Sequence, residues 1–178
     1  MKKLFLVLVA APLLLTAQKH NTISVYAAGS IPSEVGLSYE FKISKKQKPE
    51  STKIINFSSN AMTYKVGNYS VSGSGATISF GNREYFSIAS NKSWYFENFL
   101  TYSYTDFKDD TINFKGTYSY FSMINPNFGY KAFLSNNITL EPYLGFNWKW
   151  EIKNDGDIDN RNIDNLVIKA GLKVGLNF

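Results

Sequence analysis

Few residues of this 178-residue chain have both the type and the spacing to do chemistry. The single histidine, His20, is the side chain most often used as a general base, yet it falls in an amino-terminal tail. Asp155, Asp157 and Asp159 alternate like the first ligands of a hand-type calcium loop. That loop requires Gly at its sixth position and Glu at its twelfth, where Asn160 and Leu166 stand. The expectation is therefore no catalytic residue, no metal and no cofactor, with the three aspartates in a solvated loop. The remaining candidates are charges that recur on one side of alternating runs: Lys131, Glu141, Lys149, Glu151, Lys169 and Lys173, with Arg83 and Glu97 as companions. If that side is enclosed, opposite signs must meet there, because an unpaired buried charge is costly.

The elements that carry these charges read in twos, the side-chain period of a β-strand. From Asn165 to Phe178, Leu166, Ile168, Ala170, Leu172, Val174, Leu176 and Phe178 form one apolar face. Asn165, Val167, Lys169, Gly171, Lys173, Gly175 and Asn177 form the other, small or polar apart from Val167. A second run places Ile138, Leu140, Pro142, Leu144, Phe146, Trp148, Trp150 and Ile152 opposite Thr139, Glu141, Tyr143, Gly145, Asn147, Lys149 and Glu151. Earlier strands are expected around Ile23–Ala28, at Val35–Ile43, and from Trp94 to Thr105. Between Asn56 and Gly75 the parity of apolar residues changes, which places a bulge or turn near Gly67-Asn68. Gly81-Asn82-Arg83-Glu84 reads as an interruption, and Asp106–Thr117 and Asn154–Asp164 read as polar loops. A tight turn at Ser135-Asn136-Asn137 fixes a hairpin register in which Leu134 opposes Ile138, Tyr130 opposes Pro142 and Phe128 opposes Leu144. Lys131 then faces Glu141, with Lys173 as a second cation for that carboxylate.

The amino-terminus has the basic start (Lys2, Lys3), apolar stretch (Leu4–Leu15) and small-residue exit (Thr16-Ala17) of a secretory signal peptide. The expected division is residues 1–17 as signal and 18–178 as one domain. Without Lys2 and Lys3 the basic count falls from 19 to 17 against 14 acids, so the formal charge falls from +5 to +3 and gives no footing for nucleic-acid binding. Cysteine is absent, which excludes a lipidated anchor, a disulfide framework and a thiolate metal site.

These long alternating runs behind a secretory signal, ending on Leu172, Val174, Leu176 and Phe178, resemble the small eight-stranded outer-membrane barrels of the outer membrane protein A and X class. The fold so implied is all-β: a closed antiparallel transmembrane β-barrel of eight strands in an up-and-down meander. The resemblance implies an outer-membrane location, a monomer in outer-membrane lipid, and a terminal Phe178 motif read by the barrel-assembly machinery. Because the sequence stops at Phe178, the periplasmic peptidoglycan-binding domain that some relatives carry is expected to be absent, and the expected role is structural or one of presenting loops to an extracellular partner. Trp148 and Trp150, Tyr102 and Tyr104 then sit in one aromatic girdle, with Trp94 and Phe178 in the other. The alternatives are a narrow channel or a path for a small apolar ligand, or a soluble secreted β-sandwich that binds a partner.

Overall fold

The computed structural model describes residues 21–42, 51–89, 92–159 and 163–178. The signal segment, His20 and the connection after Lys42 that carries Lys45, Lys46 and Lys48 lie outside the described residues. Among the described residues nine strands are present: β1 Thr22–Gly29, β2 Ser33–Phe41, β3 Ser51–Val66, β4 Tyr69–Ala89, β5 Lys92–Asp109, β6 Phe114–Ile124, β7 Pro126–Phe133, β8 Ile138–Gly156 and β9 Leu166–Asn177. Successive strands pair antiparallel except β6 with β7, and β1 pairs β9 from Thr22↔Asn177 to Gly29↔Ala170, which closes the sheet. Strands β6 and β7 both pair with β5 and with β8, so together they fill one place in a ring of eight.

The ring has a terminal end and a long-strand end. The chain termini meet at the former: Asn21 and Phe178 exchange backbone hydrogen bonds, and the Asn177 amide donates to Asn137 in the β7–β8 turn at 2.7 Å. At the opposite end β3, β4, β5, β6 and β8 run on past β2 and β9, and such longer excursions mark the external side of these barrels, so that end is external. Below that external end the wall is apolar outside. Val25, Leu37, Phe57, Ile78, Leu100, Phe128, Leu144 and Leu172 all present exposed side chains outward. A sheet with every backbone group paired and an apolar outer belt can cross hydrocarbon, where an unpaired N–H or C=O is costly.

Several strands run longer than the sequence suggests. Gly81–Glu84 does not interrupt β4, because Arg83 and Glu97 face each other in an unbroken ladder. Instead β4 carries its irregularity between Tyr85 and Ser87. Asp106 pairs Thr117, and Asp109 pairs Phe114, so the expected Asp106–Thr117 loop shrinks to the turn at 110–113. Strand β8 continues to Gly156, which shortens the Asn154–Asp164 loop from its start. Glu34 lies within β2 rather than in the turn before it. A turn does fall at Gly67-Asn68, with Gly67 at φ 57°, and Ser70–Gly75 is strand.

The join between β6 and β7 is a bulge. Thr101 pairs Ser122 and Asn98 pairs Pro126, so Phe99 and Leu100 of β5 face three residues, Met123, Ile124 and Asn125. One extra residue exchanges the faces of a strand. Above the join Tyr118, Tyr120 and Ser122 are buried; below it Asn125, Asn127 and Lys131 are. Asn98, on the outer face, repairs the broken ladder: its Nδ2 donates to the Met123 carbonyl and its Oδ1 accepts from the Asn125 amide, both at 3.0 Å.

At the external end the two walls differ in height. Strand β2 starts at Ser33, opposite Ala61, and β9 starts at Leu166, opposite Trp148. Beyond those points β3, β4, β5, β6 and β8 continue as a curved five-stranded lobe. Its inner face holds Met62, Tyr64, Val71, Phe107, Phe114 and Tyr118, joined by Ile158 and Ile163 from the β8–β9 connection. Its outer face carries Thr63, Lys65, Ser72, Ser74, Lys115 and Asp155. The Tyr64 hydroxyl accepts from the Asp159 amide at 2.7 Å and also lies within hydrogen-bond distance of the Asp159 carbonyl, which ties the connection back to β3 across the gap.

Candidate functional site

Alternation along β2, β4, β5, β7, β8 and β9 delivers six charges to one level of the lumen. Arg83 is their hub. Its Nε and Nη2 donate to Glu97 Oε2 at 3.0 and 2.8 Å, and its Nη1 reaches Glu40 Oε2 at 3.0 Å and Glu141 Oε2 at 2.8 Å. The guanidinium plane lies over Tyr95, 3.7 Å from the ring centroid. Lys131 bridges Glu40 at 3.0 Å and Glu141 at 3.4 Å, and Lys173 binds Glu97 at 3.0 Å. Three carboxylates thus meet three cations, every member almost wholly buried. Neutral partners occupy the remaining lone pairs. Glu40 Oε1 accepts from Tyr85 at 2.6 Å and Thr52 at 2.7 Å, and Glu97 Oε1 accepts from Asn127 at 3.1 Å. Charge-assisted bonds of this kind offset the desolvation that an isolated buried ion suffers.

Lumen rings are fitted by glycines next to them in the wall. Tyr95 pairs Gly129, which pairs Tyr143, which pairs Gly171. A Cβ added at Gly129 would strike the Tyr95 ring, and one at Gly171 the Tyr143 ring. The tyrosines therefore lie flat against bare backbone and hold the width for the ionic level. Lys173 sits between the Phe99 and Tyr143 rings, 5.6 and 5.2 Å from their centroids.

Above the ions comes a level of hydroxyls and amides. Thr77 and Ser103 are 2.8 Å apart and Ser79 and Thr101 2.9 Å; Asn60 bonds Thr77, Ser103 and Thr105. Tyr26 and Ser58 donate to Glu34 at 2.9 and 3.2 Å. Higher still is the apolar interior of the lobe.

The sequence-derived residues divide accordingly. Arg83, Glu97, Lys131, Glu141 and Lys173 come together. Lys173 opposes Glu141 in the ladder, yet its ammonium goes to Glu97 while Arg83 and Lys131 serve Glu141. Lys169 and Lys149 face the lumen but stand outside the ionic cluster: Lys169 donates to Asn125 Oδ1 at 2.7 Å, and Lys149 to the Ile31 carbonyl at 3.1 Å beside Tyr118 and Tyr120. Glu151 is half-buried near the mouth, without an ion pair among the described residues. Glu40 was not anticipated in the cluster, although it alternates with the apolar Tyr39 and Phe41 as Glu141 does with its neighbours.

The aromatic residues lie on the outer face: Tyr102 pairs Phe121, which pairs Trp150, giving a row across three wall positions, while Trp94 contacts Tyr130 toward the periplasmic end. Leu172, Val174 and Leu176 are exposed on the same face, with Phe178 after them. In the external connection Asp155 pairs Lys153 at 3.0 Å and Asp157 accepts the Lys115 amide at 2.9 Å; among the described residues no group of three acids is placed to hold a metal ion.

A closed ring of eight antiparallel positions with an apolar belt and an ionic lumen defines the small outer-membrane β-barrel class. Solved structures agree. The N-terminal β-barrel domain of Pseudomonas aeruginosa OprF superposes with a TM-score of 0.59 at 14% identity, over 92% of this chain and 100% of that one. A major outer membrane protein from Thermus thermophilus gives 0.60 at 13%, over 89% and 99%. Ail, the attachment invasion locus protein of Yersinia pestis, in complex with the heparin analogue sucrose octasulfate, gives 0.57 at 14%, over 90% and 100%. No family model and no curated protein matches the chain in sequence.

Proposed function

We propose that the chain is an integral outer-membrane barrel whose role is structural or surface-contacting, with a lumen filled by side chains rather than open to solute. The observation that carries this reading is the Arg83 hub. A guanidinium shared by three carboxylates, each also held by lysine or neutral donors, occupies the space that a barrel of eight positions leaves inside. Transport through it would require breaking several buried ion pairs. The test is single-channel recording in planar bilayers. The folded protein should show no stable conductance steps, and a reproducible step in the wild type would overturn the reading.

The external lobe is where a partner would be met, because it stands clear of the belt and its β3 and β8 run on past their neighbours β2 and β9. Its outward acids Asp106, Asp109, Asp110, Asp155, Asp157, Asp159 and Asp164 outnumber Lys65, Lys108, Lys115, Lys153 and the sequence neighbour Arg161. That balance favours a cationic partner over a sulfated ligand of the kind bound to Ail. The outward Leu172, Val174, Leu176 and Phe178 are proposed as the signal for the barrel-assembly machinery. Deleting Phe178 should reduce the amount of barrel in the outer membrane, measured on isolated membranes.

A further inference from the structure

On the lipid-facing wall, across β5, β7, β8 and β9, lies an open groove of about 700 Å³, within the range of small-ligand sites. One bank is a stack of rings: Phe128 lies 5.2 Å from Trp94, and Trp94 lies 4.7 Å from Tyr130, centroid to centroid. Leu144, 64% exposed, stands beside Phe128 in the ladder and continues that bank toward Ala170. The groove's floor is the backbone of Gly129 and Gly171, the two glycines that seat Tyr95 and Tyr143, and the outward side chains flanking that floor include the small Pro142 and, beyond Leu144, Ala170. The same glycine–tyrosine fit that fills the lumen thus thins the wall.

We propose that this groove retains one acyl chain of a periplasmic-leaflet phospholipid, with its headgroup beside Trp94 and Tyr130. Three observations select this occupant. No charged side chain lines the groove, and it opens at the depth of the hydrocarbon belt, where an unfilled recess forfeits dispersion contacts. Its amphipathic rings, Trp94 and Tyr130, stand toward the periplasmic end, the usual place of such rings at the headgroup level. A second copy fits poorly: two-fold pairing would set groove against groove and leave a void, since an isologous contact brings the same patch together. The inference rests on the membrane reading above. Failure of that reading would appear earlier, as a protein that stays in solution without detergent.

The test uses the full-length protein with Trp148→Phe and Trp150→Phe, which leaves Trp94 as the sole tryptophan. A phosphatidylethanolamine brominated on one acyl chain is titrated into the purified barrel in an unbrominated detergent, and Trp94 quenching is followed. Quenching should saturate near one lipid per barrel. Ala170→Leu, which fills the groove away from Trp94, should raise the half-saturation concentration about threefold or more, equivalent to at least roughly 0.6 kcal/mol. Ala170→Val provides a smaller filling substitution should the leucine variant fail to insert. Superimposable curves for the filled and unfilled barrels, or quenching that never saturates, would overturn the proposal. So would a dimer in the same detergent that Ala170→Leu converts to monomer, because a second copy would then occupy the groove.

Discussion

The membrane belt and the external lobe are built from the same strands with opposite chemistry. On β3, Ile55 and Phe57 point outward while Asn56 and Ser58 point in; a few residues on, Thr63 and Lys65 point outward while Met62 and Tyr64 point in. The backbone alternation never breaks between them. What changes is the solvent: hydrocarbon outside the belt selects apolar outer faces and drives polar groups to the lumen, whereas water around the lobe restores the usual arrangement of a soluble sheet. Alternation therefore reports which residues share a face, but only the surroundings say which face is buried.

The largest expected effect comes from striking the ionic level. Arg83→Leu leaves three carboxylates with two lysines, and loss of one partner of a buried ionic group typically costs about 3–5 kcal/mol. Urea unfolding of the detergent-solubilised or vesicle-inserted barrel should show it, with Arg83→Lys intermediate because the ammonium lacks the fork that reaches three acids. Unchanged unfolding in Arg83→Leu would mean that the hub does not hold the wall.

The same cationic substitution placed in each region tests the inversion itself. Leu144→Arg should destabilise the inserted barrel by about 2–4 kcal/mol, whereas arginine at an interface costs about 0–1 kcal/mol. Thr63→Arg, on the lobe's wet face, should stay within about 0.5 kcal/mol of the parent. Equal costs at both positions would dissolve the distinction between belt and lobe.

Asn98 offers a sharper case, because greater hydrophobicity on the belt should there be harmful. Asn98→Leu removes both bonds across the β6–β7 join and leaves the Met123 carbonyl and Asn125 amide short of a partner, a loss of about 1–3 kcal/mol. Stabilisation by the leucine would show that the bulge needs no side-chain support. The mildest loss of a native contact is expected in the lobe. Tyr64→Phe should cost about 0.5–1.5 kcal/mol, seen as faster amide exchange at Asp159 with the belt amides unaffected.

The sequence was most legible where one parity persists. The hairpin register around Ser135–Asn137 follows from turn length and alternation alone: the structure pairs Phe128 with Leu144 and Ala132 with Leu140 and brings Lys131 to 3.4 Å from Glu141. Legibility failed wherever a second rule intruded. The apolar parity changes between Asn56 and Gly75 because these strands leave the membrane there, and Met62, Tyr64 and Val71 turn inward into the lobe. The polar run Gly81–Glu84 looked like a break because Asn82 and Glu84 are outward polar residues below the belt centre. The partner of Lys173 was misassigned because a long ammonium reaches across the lumen past its ladder neighbour, which no register can foretell. Glu40 carried the same alternation signal as Glu141 and was overlooked for want of a hairpin constraint on β2.

The extra residue between Ser122 and Asn127 acts on the chain as a frame shift acts on a text. In β6 even-numbered positions look into the barrel; in β7 odd-numbered ones do. Both halves are meaningful only in their own frame, so neither tolerates the frame of the other. Excising one residue at the join would have to turn either Tyr118 and Tyr120 out of the interior or Asn127 and Lys131 out toward lipid. Compensating insertions and deletions confined to residues 122–126 should be tolerated as pairs while each alone is rejected. This short segment is thus where the chain can absorb changes in length without rewriting the strand on either side.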